Sequence, residues 1–253
     1  MPPLRNPDTT HYAGATRELL LPALPALKPV HRAAYRVLRR DPVMAGLIDA
    51  VGPVRLGALP QRAPFEALAR AIAHQQLHGI AAERILARLV ALADNAAFPA
   101  PEQMLATPDA ALRAVGFSYA KVAALKDLAS KTLSGLVPSA LALEGLGDAE
   151  IIERLTAVRG VGRWTVEMLL IFQLRRPDVL PVGDFGVRNG FRLAYRLRGM
   201  PTPRALAAYG ERWGPHRSVA AWYLWRAVEL ARDGRLPRCA RAPRMKLAGP
   251  VRR

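Results

Sequence analysis

The chain has 253 residues, 51% of them hydrophobic, enough to bury the core of one domain or of two small ones. Its 37 basic and 20 acidic residues give a formal net charge of +17, which favours a polyanionic partner such as DNA or RNA, although a solubilising surface in an Arg-rich proteome would read the same way. The one cysteine, Cys239, excludes a disulfide framework, a thiolate metal site and an iron–sulfur cluster held by four cysteines.

Residues 1–29 carry Pro2, Pro3, Pro7, Pro22 and Pro25 and read as an extended lead-in. The apolar stretch Leu19–Leu27 is short and broken by two of those prolines, so neither a leader nor a membrane anchor is expected, and a reduced intracellular compartment is the default. A helical segment follows at 30–40, and Asp41-Pro42 then caps and opens a short helix running through Ile48. Residues 51–60 hold glycines and prolines among apolar residues, as in a loop or a minor strand pair. Pro64 starts a clear helix with Phe65, Leu68, Ala69, Ile72 and Ala73 on one face, ending at Gln75-Gln76-Leu77-His78-Gly79. Residues 80–93 place Ile85, Leu86, Leu89 and Val90 at core spacing. Further helices are expected at 101–106, 108–114, 119–133, 148–157, 163–173, 185–197, 203–212 and 215–231. Period-two alternation is scarce, so the fold class is all-α, with a core over 30–232 arranged as one unit or two helical lobes. From Arg235 to Arg253 there are seven basic and no acidic residues, with Pro237, Pro243 and Pro250 among them. Residues 233–253 therefore read as a disordered basic tail able to touch phosphates weakly.

The segment 148–173 reads as two helices joined by Gly160-Val161-Gly162. Glycines there permit backbone angles and close approaches that a Cβ would block, and Val161 can plug the gap between the helices. The second helix offers free N–H groups at its positive end, able to grip a phosphate without reading sequence, while Arg159 and Arg163 reach neighbouring phosphates. An ordinary helix turn would look the same in isolation. Downstream, Pro181 stops any helix, Gly183 keeps the backbone open and Asp184 stands where a helix cap should be. The aspartate is a cap, or a carboxylate placed against a deoxyribose to stabilise charge developing at C1′ and to orient or deprotonate water.

Together the segments RGVGRWTVEMLLIF, RRPDVLPVGDFGVRNGF and ERWGPHRSVAAWYLWRA resemble the helix-hairpin-helix DNA glycosylase superfamily, within it the alkylation-repair branch of 3-methyladenine DNA glycosylase II proteins. The likeness spans roughly residues 30–232. It implies two helical lobes with DNA crossing the cleft, a nucleotide flipped into a pocket, and Asp184 as the catalytic carboxylate. It also implies that the hairpin binds DNA backbone, with the carbonyls of Arg159, Gly160 and Gly162 offered to a monovalent cation, sodium or potassium, and no other cofactor. The Gln75–Leu77 turn matches the segment that fills the gap left by the flipped nucleotide, through Gln76 or Leu77. Relatives that also cut the strand carry a Schiff-base lysine where Trp164 stands here, which implies a monofunctional reaction. The lead-in is too short for the N-terminal mixed α/β domain of the best-known bacterial member, so this chain resembles the compact forms. That member has aromatic rings at the places of Met168 and His216, which implies a different substrate preference.

Trp164, Met168, Trp213, His216 and Trp222 are candidates for contacting the flipped base, as are Tyr223 and Trp225; a core role competes for the aromatic residues of the last helix. His74 and His78 lack a third ligand for a metal. His78, Lys121, Arg188, Gln75 and Gln76 are candidate DNA contacts. The expected partner is duplex DNA with a damaged base, met by a monomer in the cytoplasm of a bacterial-type cell, at the nucleoid and away from membranes. The expected activity is hydrolysis of the N-glycosidic bond of alkylated bases. Deaminated, etheno or methylated-cytosine lesions are the nearest alternative, and a non-catalytic helix-hairpin-helix DNA-binding module is the alternative of another class.

Overall fold

Proline stands at the start of the helices that begin at Pro42, Pro64, Pro101 and Pro203, where its fixed φ suits the first turn and its missing N–H leaves no orphan donor. The computed structural model describes residues 29–56, 60–92 and 97–237. The expectations for most of the lead-in, residues 1–28, and for most of the tail, residues 238–253, lie outside the described residues.

In chain order the helices are α1 (Pro29–Leu38), α2 (Pro42–Val51), α3 (Pro64–His74), α4 (Gly79–Val90), α5 (Pro101–Ala106), α6 (Asp109–Ala114) and α7 (Tyr119–Leu133). Then come α8 (Ala140–Glu144), α9 (Asp148–Thr156), α10 (Arg163–Met168), α11 (Phe185–Ala194), α12 (Pro203–Gly210) and α13 (Arg217–Arg232). No strand occurs among the described residues, so the fold is all-α, and residues 52–56 form loop, one of the two readings of that stretch. Two departures from the sequence reading are local. The short α8 was not expected, and the helix expected over 163–173 changes at Leu169–Gln173 into a π-helical turn, where Leu174 N–H reaches Leu169 O at 3.0 Å.

The described residues fall into two units, 60–174 and 29–56 with 175–237. In the first, α3 packs on α4 and α7, α5 on α7, and α9 on α10. Leu68, Ile72, Leu86, Met104, Leu125 and Leu155 are fully or almost fully buried there, on the faces that helical spacing selects. Ser118 and Ser139 cap α7 and α8 by accepting from Lys121 N and Ala142 N, each at 3.3 Å.

In the second unit α13 packs on α11 and α2. Asp41 caps α2 through Oδ1, which accepts from Val43 N at 3.0 Å. Its other oxygen, Oδ2, sits in the core and accepts from Tyr195 OH at 2.5 Å, Tyr209 OH at 3.2 Å and Trp213 Nε1 at 3.3 Å. Three donors on one buried oxygen offset the loss of water around the carboxylate. At the crossing of α11 and α13, a Cβ on Gly190 would fall 1.9 Å from Leu224 O, so only glycine lets the two backbones meet.

Candidate active site

The first unit carries the hairpin. Gly160 has φ +77, a left-handed conformation that a side chain would strain, while Gly162 has φ −92 and open space where a Cβ would stand. Val161 is buried and plugs the turn, its N–H donating to Val158 O at 3.0 Å. Asp127 and Lys131 of α7 brace the turn from one side. Arg159 N–H donates to Asp127 Oδ2 at 2.7 Å, and Lys131 Nζ bridges Asp127 Oδ2 at 2.8 Å and Ala157 O at 2.6 Å. Burial pushes the Asp127 carboxyl up, but the Arg159 N–H and the Lys131 ammonium together hold it below its ordinary value. Among the described residues the N–H groups of Gly160, Gly162 and Arg163 donate no hydrogen bond to any acceptor, and all three residues are exposed. Such a cluster of N–H groups has the donors that an anion needs. Arg163 is mostly exposed, although its Nε pairs with buried Glu167 at 2.9 Å.

The turn between α3 and α4 is tied to that hairpin. Gln75 Nε2 donates to Gly160 O at 2.8 Å, and Gln76 is exposed at φ +54, with Leu77 half-buried beside it. His78 is exposed at the start of α4. Lys121, expected to touch DNA, instead points inward. Its Nζ donates to Ala73 O at 2.8 Å and to Gln75 O at 2.7 Å, closing the C-terminal end of α3, and burial pushes the ammonium below the ordinary lysine value. Of the carbonyls offered to a monovalent cation, Gly160 O accepts from Gln75 Nε2 and Gly162 O accepts from Val166 N, each keeping a second lone pair. No group of three His, Cys, Asp or Glu side chains among the described residues is placed to hold a metal ion.

The second unit carries Asp184. It is the N-cap of α11, Oδ1 accepting from Val187 N at 2.6 Å, and the same oxygen accepts from Trp225 Nε1 of α13 at 2.9 Å. The loop leading to it is held to the start of α13. Arg217 makes a bidentate pair with Asp178 at 2.7 Å through both Nε and Nη2, and Ser218 Oγ takes Val179 N–H at 2.9 Å and donates to Arg176 O at 2.6 Å. Burial raises the Asp178 carboxyl, but the Arg217 hydrogen bonds and charge outweigh it and hold it low.

The structure separates the aromatic candidates. Trp213 is fully buried against Asp41, Trp222 is 4% exposed and edge-on to Tyr223, and Tyr223 is buried with its OH on Gly52 O. These three are corrected to core residues, because a ring without exposed face cannot stack on a base. Trp164 and Met168 of α10 are half-buried in the first unit, and His216 is half-buried at the start of α13 beside Asp178. Arg188 is half-buried, its Nε donating to Pro201 O at 2.9 Å rather than standing clear of the surface. Sequence reasoning placed Trp225 only among the base-stacking rings and missed its bond to Asp184. The local signal was the pair Gly186 and Gly190, one turn apart on α11, which marks a close helix crossing.

An all-helical fold with a Gly-Val-Gly hairpin and an aspartate at the head of a later helix defines a class, and comparison with known families agrees. Residues 69–216 match the model of the HhH-GPD superfamily base excision DNA repair proteins, and the chain belongs to that superfamily. Among its relatives is DNA-3-methyladenine glycosylase 1 of Schizosaccharomyces pombe, 44% identical over 186 residues that cover 73% of this chain and 82% of that protein. The solved 3-methyladenine DNA glycosylase of that yeast, in complex with abasic DNA, superposes with a TM-score of 0.71 over 79% of this chain and 98% of its own, at 42% identity. A DNA-3-methyladenine glycosidase from Bacillus halodurans superposes with a TM-score of 0.73 over 81% and 92% of the two chains, at 33% identity. No helix among the described residues is long and apolar enough to cross a membrane.

Proposed function

We propose that this protein hydrolyses the N-glycosidic bond of alkylated bases of the 3-methyladenine type in duplex DNA, releasing the base and leaving an abasic site with the strand intact. The observation that carries this reading is the Asp184 carboxylate, pinned through one oxygen by the first turn of α11 and by an indole from α13. As the base departs with the bonding electron pair, positive charge grows on C1′ and the ring oxygen. A fixed anion favours that state over the ground state, and it can orient or deprotonate the water that adds to C1′. Alkylation that makes the base cationic improves the leaving group, so little acid assistance is needed. Trp164 in α10 supplies no amine nucleophile, which favours base release alone.

In this reading the unpaired N–H groups of Gly160, Gly162 and Arg163 take one backbone phosphate, and Arg159 and Arg163 take its neighbours. Gln76 is the side chain that fills the gap, since it stands exposed at the tip of its turn while Leu77 is half-buried. Trp164 and Met168 in the first unit are offered to a damaged base, and so, by itself, is His216 in the second; Met168 and His216, in place of aromatic rings, shift the range of lesions accepted. The partner is duplex DNA holding a damaged base, bound by a monomer, and the charge of +17 suits residence on the nucleoid in the cytoplasm of a bacterial-type cell.

The test is direct. Duplexes with single alkylated, deaminated or etheno bases are incubated with the protein, and released free base is measured by mass spectrometry. Alkylated purines should be released, and Asp184→Asn should lower the rate by at least about 100-fold. Absence of any released base, or full activity in Asp184→Asn, would sink the proposal; strand breaks formed without alkali or heat would overturn its monofunctional part.

A further inference from the structure

Asp184 and Trp225 meet because α11 carries glycine at two successive turns. At Gly190 the backbones of α11 and α13 touch, since a Cβ there would overlap Leu224 O at 1.9 Å. One turn earlier, a Cβ on Gly186 would fall 2.9 Å from Trp225 Cδ1, 3.1 Å from Asp184 Oδ1 and 3.2 Å from Trp225 Nε1. The indole therefore fills the space that any other residue at 186 would claim, and its N–H reaches Asp184 Oδ1 at 2.9 Å. Capping does not require this. The Val187 N–H on the same oxygen, at 2.6 Å, already makes Asp184 a complete N-cap. A carboxylate turns easily about its last torsion. The indole N–H, delivered from another helix onto the oxygen that already caps α11, restrains that rotation.

We propose that Trp225 is a positioning residue for base release, orienting the Asp184 carboxylate through its indole N–H, and that Gly186 is the gap that admits the indole. The inference rests on the reading of Asp184 as the reacting carboxylate. It assigns Trp225 neither to base stacking nor to core packing alone. Core packing would be visible as lost stability, and base stacking as weaker substrate binding. Positioning is visible as a slower chemical step in a folded protein that binds DNA normally.

Three variants of the full chain test this. Trp225→Phe removes the N–H, and β-(3-benzothienyl)alanine at 225 keeps the shape of the ring while lacking that N–H. Gly186→Ala leaves the indole intact but crowds it and, less closely, Asp184 Oδ1. For each, single-turnover base release at enzyme excess is measured beside the Kd for a duplex with a stable abasic-site analogue and the melting temperature. The single-turnover rate should fall on the order of 10- to 100-fold, as for loss of one hydrogen bond to a charged group. Kd should stay within about twofold of the parent, and the benzothienyl variant should melt as the parent does. In Gly186→Ala the rate should fall although alanine favours the helix over glycine. Base release at the parent rate by the benzothienyl variant would overturn the inference, as would a loss of rate matched by an equal loss of binding. Asp184→Asn, run in parallel, separates the two readings. If it keeps the parent rate, the assignment of Asp184 fails; if it is inactive while the Trp225 variants are fully active, only the positioning role fails.

Discussion

The side-chain amide of Gln75 donates to the carbonyl of Gly160 across 2.8 Å, joining residues 85 apart in sequence. Within the first unit this single bond ties the α3–α4 turn, which presents Gln76, to the hairpin, which presents its unpaired N–H groups. Gln75→Ala should therefore disturb both. The bond is exposed, so the stability loss should be about 1 kcal/mol, read as a lower urea midpoint at unchanged slope. Affinity for a duplex with an abasic-site analogue should fall roughly fivefold, with the rate on bound DNA preserved. An unchanged Kd would show that the turn and the hairpin engage DNA independently.

Lys121 and Arg159 are both basic residues of the first unit, but they should respond differently to salt. The Lys121 ammonium is held on Ala73 O and Gln75 O, whereas Arg159 is an exposed residue of the hairpin. A side chain that neutralises a phosphate contributes about 0.9 to the slope of log K against log salt. Arg159→Ala should flatten that slope by about this much, while Lys121→Met should leave it unchanged and lower stability by about 1–3 kcal/mol. A flatter slope in Lys121→Met would restore Lys121 to the phosphate contacts.

The aromatic network around Asp41 predicts alkaline sensitivity in the second unit. Burial, then the nearby Asp41 charge, pushes Tyr209 up to about 12 and Tyr195 well above its ordinary value, and burial with the Tyr35 contact raises Tyr223 as well. A phenol whose folded pKa is raised holds its proton in the folded chain while the unfolded chain loses it. The stabilisation is complete below the unfolded value of 10.0 and is lost as pH climbs from there through the folded values. Urea midpoints should thus decline steadily from about pH 10 to about pH 12. Phenolate absorbance from these tyrosines should emerge together with unfolding, and Tyr209→Phe should make the decline shallower. Ionisation of all three in a still-folded chain would contradict this account.

Much of this architecture was legible locally. Proline at the first helical position, apolar residues at helical spacing and the Gly160-Val161-Gly162 turn each act over a few residues, so α2, α3 and the hairpin follow from the sequence. Asp184 read equally as cap and as catalytic acid, and its cap geometry is real. What pattern could not supply was contact at long range. Asp41 gathers donors from residues 154 to 172 positions away, and nothing near Trp213 distinguishes its buried ring from the partly exposed one of Trp225. Lys121 reaches 46 and 48 residues back to α3, so its charge gave no sign that it faces inward. The π-helical turn at Leu169–Gln173 has no residue code of its own, and α8 is too short for a periodic signal.

Gly160 and Gly162 flank one valine, yet their glycines answer to different demands. At Gly160 the backbone itself requires glycine, with φ at +77. Gly160→Ala should cost about 1–2 kcal/mol in stability. At Gly162 φ is −92 and, apart from its chain neighbours, no atom of the described residues lies within 4 Å of where a Cβ would stand, so Gly162→Ala should fold with stability within about 0.5 kcal/mol of the parent. Under the proposed function, a backbone phosphate drawn onto the neighbouring N–H groups would account for glycine at 162, because a methyl group there would stand in its path. Gly162→Ala should accordingly bind duplex DNA on the order of tenfold more weakly while melting normally. Parent-like affinity in that variant would mean that no phosphate approaches the tip of the hairpin.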